Sequence, residues 1–254
     1  MSKKIIIVGS GNAALSAGIA ALEKGAEVVV YEKADQNMAG GNTKYTAGAM
    51  RFAYDKGSEL LDLLKNPNDI RIKNTDFGSY NQEQFALDLL NFNDGRPLSV
   101  EQKILVSKSY ETIQWLSSHN IKFEPIYSRQ SFLKEKKHIF WGGLTLASEN
   151  EGVGLFNQEL SAFLSLGGEI NYNSPVKKLI FNNKEVKGIF VNNKAIKADS
   201  IILASGGFEA NKELRKTYLG DEWSKAKVRG TPHNTGDGLQ MALEIGAMKN
   251  GLYD

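Results

Sequence analysis

The chain has 254 residues and no cysteine. That absence excludes a disulfide framework, thiolate ligation of zinc or iron–sulfur clusters, a cysteine nucleophile and a flavin tethered through sulfur. Redox chemistry here needs a bound guest. Histidine is scarce as well: the spacing of His119, His138 and His233 suits no metal motif, so no metal is expected. A basic face is also missing. Lys+Arg 31 against Asp+Glu 29 leaves +2, with lysine spread along the chain, which argues against nucleic acid as a partner. Long apolar runs are absent: the stretches at 5–8 and 13–22 fall short of the ~20 residues a spanning helix needs, so no membrane insertion is expected. Lys3-Lys4 before Ile5 imitates a secretory signal, but Gly9 to Asn12 break the apolar run after four residues. A cytoplasmic location is the expectation. With 41% hydrophobic residues the chain can build a packed core, and disorder is unexpected.

Glycine is what the chain has in quantity, 25 residues, and its placement carries the reading. Lys4 to Val8 is an unbroken apolar run, as in a strand buried on both faces of a parallel sheet. It runs into Gly9-Ser10-Gly11-Asn12-Ala13-Ala14. Leu15, Ile19 and Leu22 then recur at helical spacing, Gly25 marks a helix stop, and Glu27 to Tyr31 is a second β-branched strand. This is a βαβ unit with neighbouring parallel strands. Gly9-x-Gly11-x-x-Ala14 fits the dinucleotide fingerprint: a tight turn, a backbone a pyrophosphate can approach, and close helix–strand packing. Free N–H groups and the helix dipole would hold the phosphate. Glu32, 23 residues beyond Gly9, closes the second strand, where a carboxylate accepts ribose hydroxyls and repels a 2′-phosphate, disfavouring NADP.

Three further glycine clusters follow. Gly40-Gly41-Asn42-Thr43-Lys44-Tyr45-Thr46-Ala47-Gly48 is read as passing against a ring or a pyrophosphate, with a plain surface loop as the alternative. Ser200 to Ala204 is another buried strand, ending in Ser205-Gly206-Gly207-Phe208-Glu209-Ala210-Asn211 at the strand end where open α/β sheets bind ligands. Thr235-Gly236-Asp237-Gly238 opens a helix at Leu239 to Ile245. Four such turns suit a long cofactor laid across the sheet. Between them, helices are expected near 59–65, 82–90, 100–119 and 153–166, the third with a Ser99/Gln102 capping box. Strands at 176–181, 186–191 and 194–196 are separated by Asn-Asn pairs at 182–183 and 192–193, a β-meander. The expected architecture is α/β: a Rossmann-like core with a parallel sheet and β-meander at 1–50 and 168–254, and a mainly helical insertion at 51–167. Trp141-Gly142-Gly143 reads as core packing before a flavin-side loop, and Arg229 and His233 as open candidates.

Taken together these residues resemble the flavoprotein subunit family of fumarate reductase and succinate dehydrogenase. Gly9 to Leu15, Gly40 to Thr43, Ser174-Pro175-Val176 and Leu203 to Phe208 look like that family's FAD contacts in order. Asn12 to Leu15 and Val228 to Gly238 are most similar to its FAD-dependent tricarballylate dehydrogenases. The candidate cofactor contacts are therefore Gly9, Gly11, Asn12, Ala13, Ala14, Glu32 and Lys33; Gly40, Gly41, Asn42, Thr43, Ala47 and Gly48; Val176; Ala204, Ser205, Gly206, Gly207 and Asn211; and Thr235, Gly236 and Asp237. The resemblance implies an oxidoreductase that exchanges hydride between flavin N5 and a carbon–carbon bond of a polycarboxylate, with an electron-transfer partner. A fumarate reductase, a ketosteroid dehydrogenase and a flavin-binding fragment without catalysis are the alternatives. It also implies that the proton-transferring arginine and the capping domain lie beyond Asp254, so no catalytic residue is assigned here. Tyr45 stands where succinate dehydrogenases carry the histidine that attaches FAD, so non-covalent FAD is expected.

Overall fold

Lys4–Val8 forms β1 of the computed structural model, which describes residues 2–249. It is followed by α1 (Asn12–Glu23) and β2 (Glu27–Tyr31). Next come β3 (Ala49–Met50), β4 (Thr75–Asp76), α2 (Gln82–Phe92), α3 (Val100–Ser118), β5 (Phe123–Pro125) and α4 (Tyr127–Gln130). β6 (Ser131–Lys134), β7 (Lys137–Phe140), β8 (Leu146–Ser148) and α5 (Glu151–Ser165) complete the middle of the chain. The last third holds β9 (Glu169–Asn171), β10 (Val176–Asn182), β11 (Glu185–Val191), β12 (Lys194–Lys197), β13 (Ser200–Leu203), α6 (Lys212–Leu219) and α7 (Asp237–Glu244).

Two compact units result, one of Met1–Tyr45 with Glu159–Asp254, the other of Thr46–Gln158. The joints fall a few residues before those the sequence suggests, for two packing reasons. Ala49 and Met50 pair with Ala147 and Leu146, so this stretch belongs with the middle of the chain. The second half of α5 belongs with α1: the buried Phe163 ring lies against Gly18, where a Cβ would come within 2.7 Å of it.

The first unit carries a parallel sheet of order β13-β1-β2-β9. Ile6, Ile7 and Val30 are fully buried within it, as expected of strands covered on both faces. Gly25 ends α1 with φ +78°, its amide donating to Leu22 O at 2.8 Å. β10, β11 and β12 form the expected antiparallel meander. Its second turn is Asn192-Asn193, but the first is Asn183-Lys184 rather than Asn182-Asn183, because Asn182 pairs with Glu185. Both two-residue loops have positive φ throughout, the geometry that follows strand twist. Val8, Val176, Leu179, Ile189 and Met241 join this unit's core.

The second unit is less helical than its sequence suggests. α2 and the box-capped α3 form as expected, but two small sheets, β3-β8-β5 and β4-β7-β6, stand alongside them. The expected helix near 59–65 is a 3-10 turn at Gly57–Leu63. Its buried Leu60 and Leu63 are three residues apart and eclipse one another in that geometry. Phe52, Phe123, Ile121 and Leu146 centre the core. Trp141 is no part of it: its side chain is exposed and stacks on Phe132. The rings of His119 and His138 rest edge-on against Trp115 and Tyr127, structural positions for both. Among the described residues no helix is long and apolar enough to cross a membrane.

Candidate cofactor cleft

β1, β2 and β13 end side by side, and the chain leaves each at the same edge of the sheet. The ladder runs one residue further there: Gly9 N donates to Tyr31 O and Ala204 N to Val8 O, both at 2.9 Å. Gly9 has φ +102°, and a Cβ on it would strike Ala204 O at 2.5 Å. Its role is to let two strand exits lie this close. Beyond them opens a cleft of about 390 Å³, within the size range of small-molecule sites.

Most of the expected residues line it. Gly9, Gly11, Asn12 and Ala13 come from the first turn, and Glu32 and Lys33 from the end of β2. Gly41, Asn42 and Thr43 come from a 3-10 turn, and Val176 from β10. Ala204, Ser205, Gly206 and Asp237 complete the set. Others expected here act from behind. Ala14 is fully buried under the turn. Gly40 donates its amide to Ser10 Oγ at 3.1 Å, and Gly207 O accepts from Gly236 N at 3.0 Å. Asn211 caps α6 and reaches Thr235 O at 3.1 Å. Gly236, with φ +83°, caps α7. Thr235 Oγ1 accepts from Lys33 Nζ at 2.6 Å and donates to Asp237 Oδ1 at 2.7 Å. Ala47 and Gly48 fall in the second unit, where Gly48 O accepts from Ser148 N at 2.9 Å. Their place in the chain next to the second cluster, not their packing, suggested them.

The electrostatics favour a ligand with both hydroxyls and negative charge. Glu32 is 7% exposed. Its carboxylate accepts from Ser10 Oγ at 2.6 Å and Ala34 N at 2.8 Å, half of the roughly four lone-pair sites an ionised carboxylate offers. The remainder suits a ribose diol. No side chain of its own N-cap satisfies α1; Thr43 Oγ1 takes the Asn12 amide at 2.9 Å. Helix geometry leaves the Ala13 and Ala14 amides without intrahelical acceptors, at the positive end of the dipole. Lys33 Nζ lies 2.8 Å from Asp237 Oδ2. Burial works against the Asp237 carboxylate, but the hydrogen bonds from Lys33 and Thr235 and the lysine's charge outweigh it and hold its pKa below the usual value.

Several lining residues lie in or near these segments without being singled out as contacts by the sequence. Ser10, Met38, Thr231 and Asn234 line the cleft as lone side chains between glycines or in loops. Asn42 Oδ1 accepts from Thr231 N at 2.9 Å, tying the 41–45 turn to the 228–238 loop. His233 lines the cleft too, whereas Arg229 is exposed. Val8, Tyr31 and Leu203, also in the lining, were discoverable as the last residues of strands.

A glycine turn, a helix start with no side-chain cap of its own and a buried, half-satisfied carboxylate at a parallel sheet's carboxyl edge define a dinucleotide-type cofactor domain. The chain belongs to the FAD binding domain family, which matches residues 4–253. It is 27% identical to the fumarate reductase (cytochrome) of Shewanella frigidimarina, over 98% of this chain and 41% of that protein. It is 26% identical to the NADH:acrylate oxidoreductase of Vibrio harveyi, over 98% of this chain and 29% of that one. Among solved structures it is similar to the open conformation of a flavocytochrome c3 fumarate reductase, with TM-score 0.72 and 25% identity over 98% of this chain and 41% of that one. The chain spans about two fifths or less of the length of these relatives. FAD is thus the cofactor of this domain.

Proposed function

We propose that the chain is the cofactor-holding part of an FAD-dependent oxidoreductase that adds or removes hydrogen across a carbon–carbon bond next to a carboxylate. The observation that carries this reading is the Glu32 carboxylate beside the uncapped α1 start in one cleft. FAD supplies the two-electron chemistry when bound. The chain's own residues hold and orient it: Glu32 accepts the ribose hydroxyls, and the Ala13 and Ala14 amides meet the pyrophosphate. The Gly41 turn and Ser205-Gly206 offer backbone to the remainder, and Tyr45, a phenol, leaves the attachment non-covalent. Two names support a small unsaturated carboxylate as substrate, fumarate in one relative and acrylate in the other. Tricarballylate is the reading favoured by the 12–15 and 228–238 stretches, and fumarate by the relatives. The direction and the redox partner belong to the whole protein.

The test has two arms. Acid treatment of the purified chain should release whatever FAD it carries; NAD without flavin would overturn the cofactor assignment, and flavin left on the precipitate would overturn non-covalent attachment. Substrate-dependent bleaching or reoxidation of the flavin in the whole protein, with fumarate, acrylate, tricarballylate and a 3-ketosteroid compared, ranks the substrates. A response to the steroid alone would sink the carboxylate reading.

A further inference from the structure

One buried carboxyl group has no part in the cleft as described. Glu159, on α5 in the first unit, is fully buried. Its Oε1 lies 3.0 Å from Ser16 Oγ, and its Oε2 has no hydrogen-bond partner. Ser16 Oγ is also 3.3 Å from Asn12 Oδ1, one turn back along α1, and Asn12 lines the cleft. The three side chains form a file from the interior to the cofactor cleft.

Proton counting fixes the direction of that file. A serine hydroxyl has one proton to donate. Were Glu159 ionised, it would take that proton, and Asn12 Oδ1 would lose its donor. It would also leave Oε2 as a buried, uncompensated charge, the arrangement proteins avoid. A neutral Glu159 donates to Ser16 Oγ, and the serine proton is free for Asn12 Oδ1. With its oxygen so engaged, the Asn12 amide keeps Nδ2 as a donor for an anion.

We propose that Glu159, as a neutral acid, is a positioning residue that drives a one-way chain of hydrogen bonds through Ser16 and holds Asn12 as a donor to the FAD pyrophosphate. The proposal rests on FAD occupying the cleft. Burial pushes the Glu159 pKa up to about 8, opposed by the hydrogen bond to Ser16, and no neighbouring charge contributes. The other titratable groups on the two helices are Glu23, at the far end of α1, and Glu151, at the start of α5. Neither is a cause of the shift. The acid is therefore mostly protonated near neutrality, and as pH rises through its pKa the Ser16 proton turns to Glu159 and Asn12 Oδ1 loses its donor.

The experiment is titration of the purified chain with FAD from pH 6.5 to 9 (~), with folding followed by circular dichroism in the same samples. The wild type should weaken about fivefold across the upper half of that range, the value of roughly one hydrogen bond. Glu159→Gln donates to Ser16 at every pH and should hold its neutral affinity with no such decline. A protonated-carboxyl infrared band present in the wild type should vanish in this variant. An identical pH decline in wild type and Glu159→Gln, or no decline in either, overturns the proposal while leaving FAD in the cleft. Failure of every form to bind FAD at any pH overturns the cofactor assignment instead. Should Glu159→Gln not fold, Ser16→Ala decides: weaker binding with a flat pH profile supports the relay, and wild-type affinity at neutral pH refutes it.

Discussion

The two units bury polar groups to opposite ends. In the second, each buried hydroxyl is satisfied by its neighbours. Tyr54 Oη donates to Phe77 O at 2.8 Å and meets Thr145 Oγ1 at 2.8 Å. Ser109 Oγ accepts from Ala53 N and donates to Val106 O, both at 3.0 Å. In the first, Ser10, Glu32, Thr231 and Asn234 are as deeply buried, yet all four line a cleft. Burial of polar atoms is thus no mark of a site. What distinguishes the cleft is hydrogen-bonding capacity left over beside close-approaching backbone, at the edge where parallel strands end.

The largest test of that contrast removes apolar volume from the unit without the cleft. Phe52 is fully buried, its ring 5.8 Å from that of Tyr54 and 6.2 Å from that of Tyr110. Phe52→Ala should cost about 3–5 kcal/mol of stability by urea denaturation, as large-to-small core changes do. FAD affinity of the folded protein should stay within about twofold. A Kd that rises in step with the lost stability would show that the units do not divide structure and binding in this way.

Glu32→Ala should reverse the pattern. It strands Ser10 Oγ and the Ala34 amide, a cost of about 1–3 kcal/mol, and it also deletes the ribose acceptor. FAD affinity should fall tenfold or more (~) in a fluorescence titration. An unchanged Kd would place the ribose elsewhere.

The same contrast explains which parts of the fold are legible in the sequence. Strand runs such as Ile5-Ile6-Ile7-Val8 and Val28-Val29-Val30 have no polar break, so the parallel sheet and its glycine exits were visible as pattern. The second unit's strands are two to four residues long, too short to show a period of two, and its sheets went unseen. Leu60 and Leu63 fit an α-helix and a 3-10 turn equally by spacing; packing decided between them. In the cleft, Gly9, Gly11 and Glu32 were legible because fingerprint spacing is local. Ser10, Thr231 and Asn234 were not, since a single polar residue in a loop has no periodicity, and only the fold brings position 231 to position 42. The Glu159 file links α5 to α1 across 143 residues, a separation at which sequence pattern carries nothing.

The smallest effect is the sharpest comparison, because it sets two hydroxyl deletions of similar burial against each other. Tyr54→Phe removes an Oη that serves Phe77 O and Thr145; Ser10→Ala removes an Oγ that serves Glu32 and the Gly40 amide. Each should lower stability by about 1 kcal/mol, the net value of a typical internal hydrogen bond, or a few degrees of Tm for a chain of this size. The Tyr54 loss falls on Phe77 O and on the Thr145 hydroxyl, both in the unit without the cleft. The Ser10 loss falls on the carboxylate assigned to the ribose and on the backbone of the Gly40 turn. FAD affinity should therefore drop several-fold in Ser10→Ala and stay at the wild-type value in Tyr54→Phe. Equal affinities in the two variants, at matched stability, would mean that the spare capacity of the cleft is not what holds the cofactor.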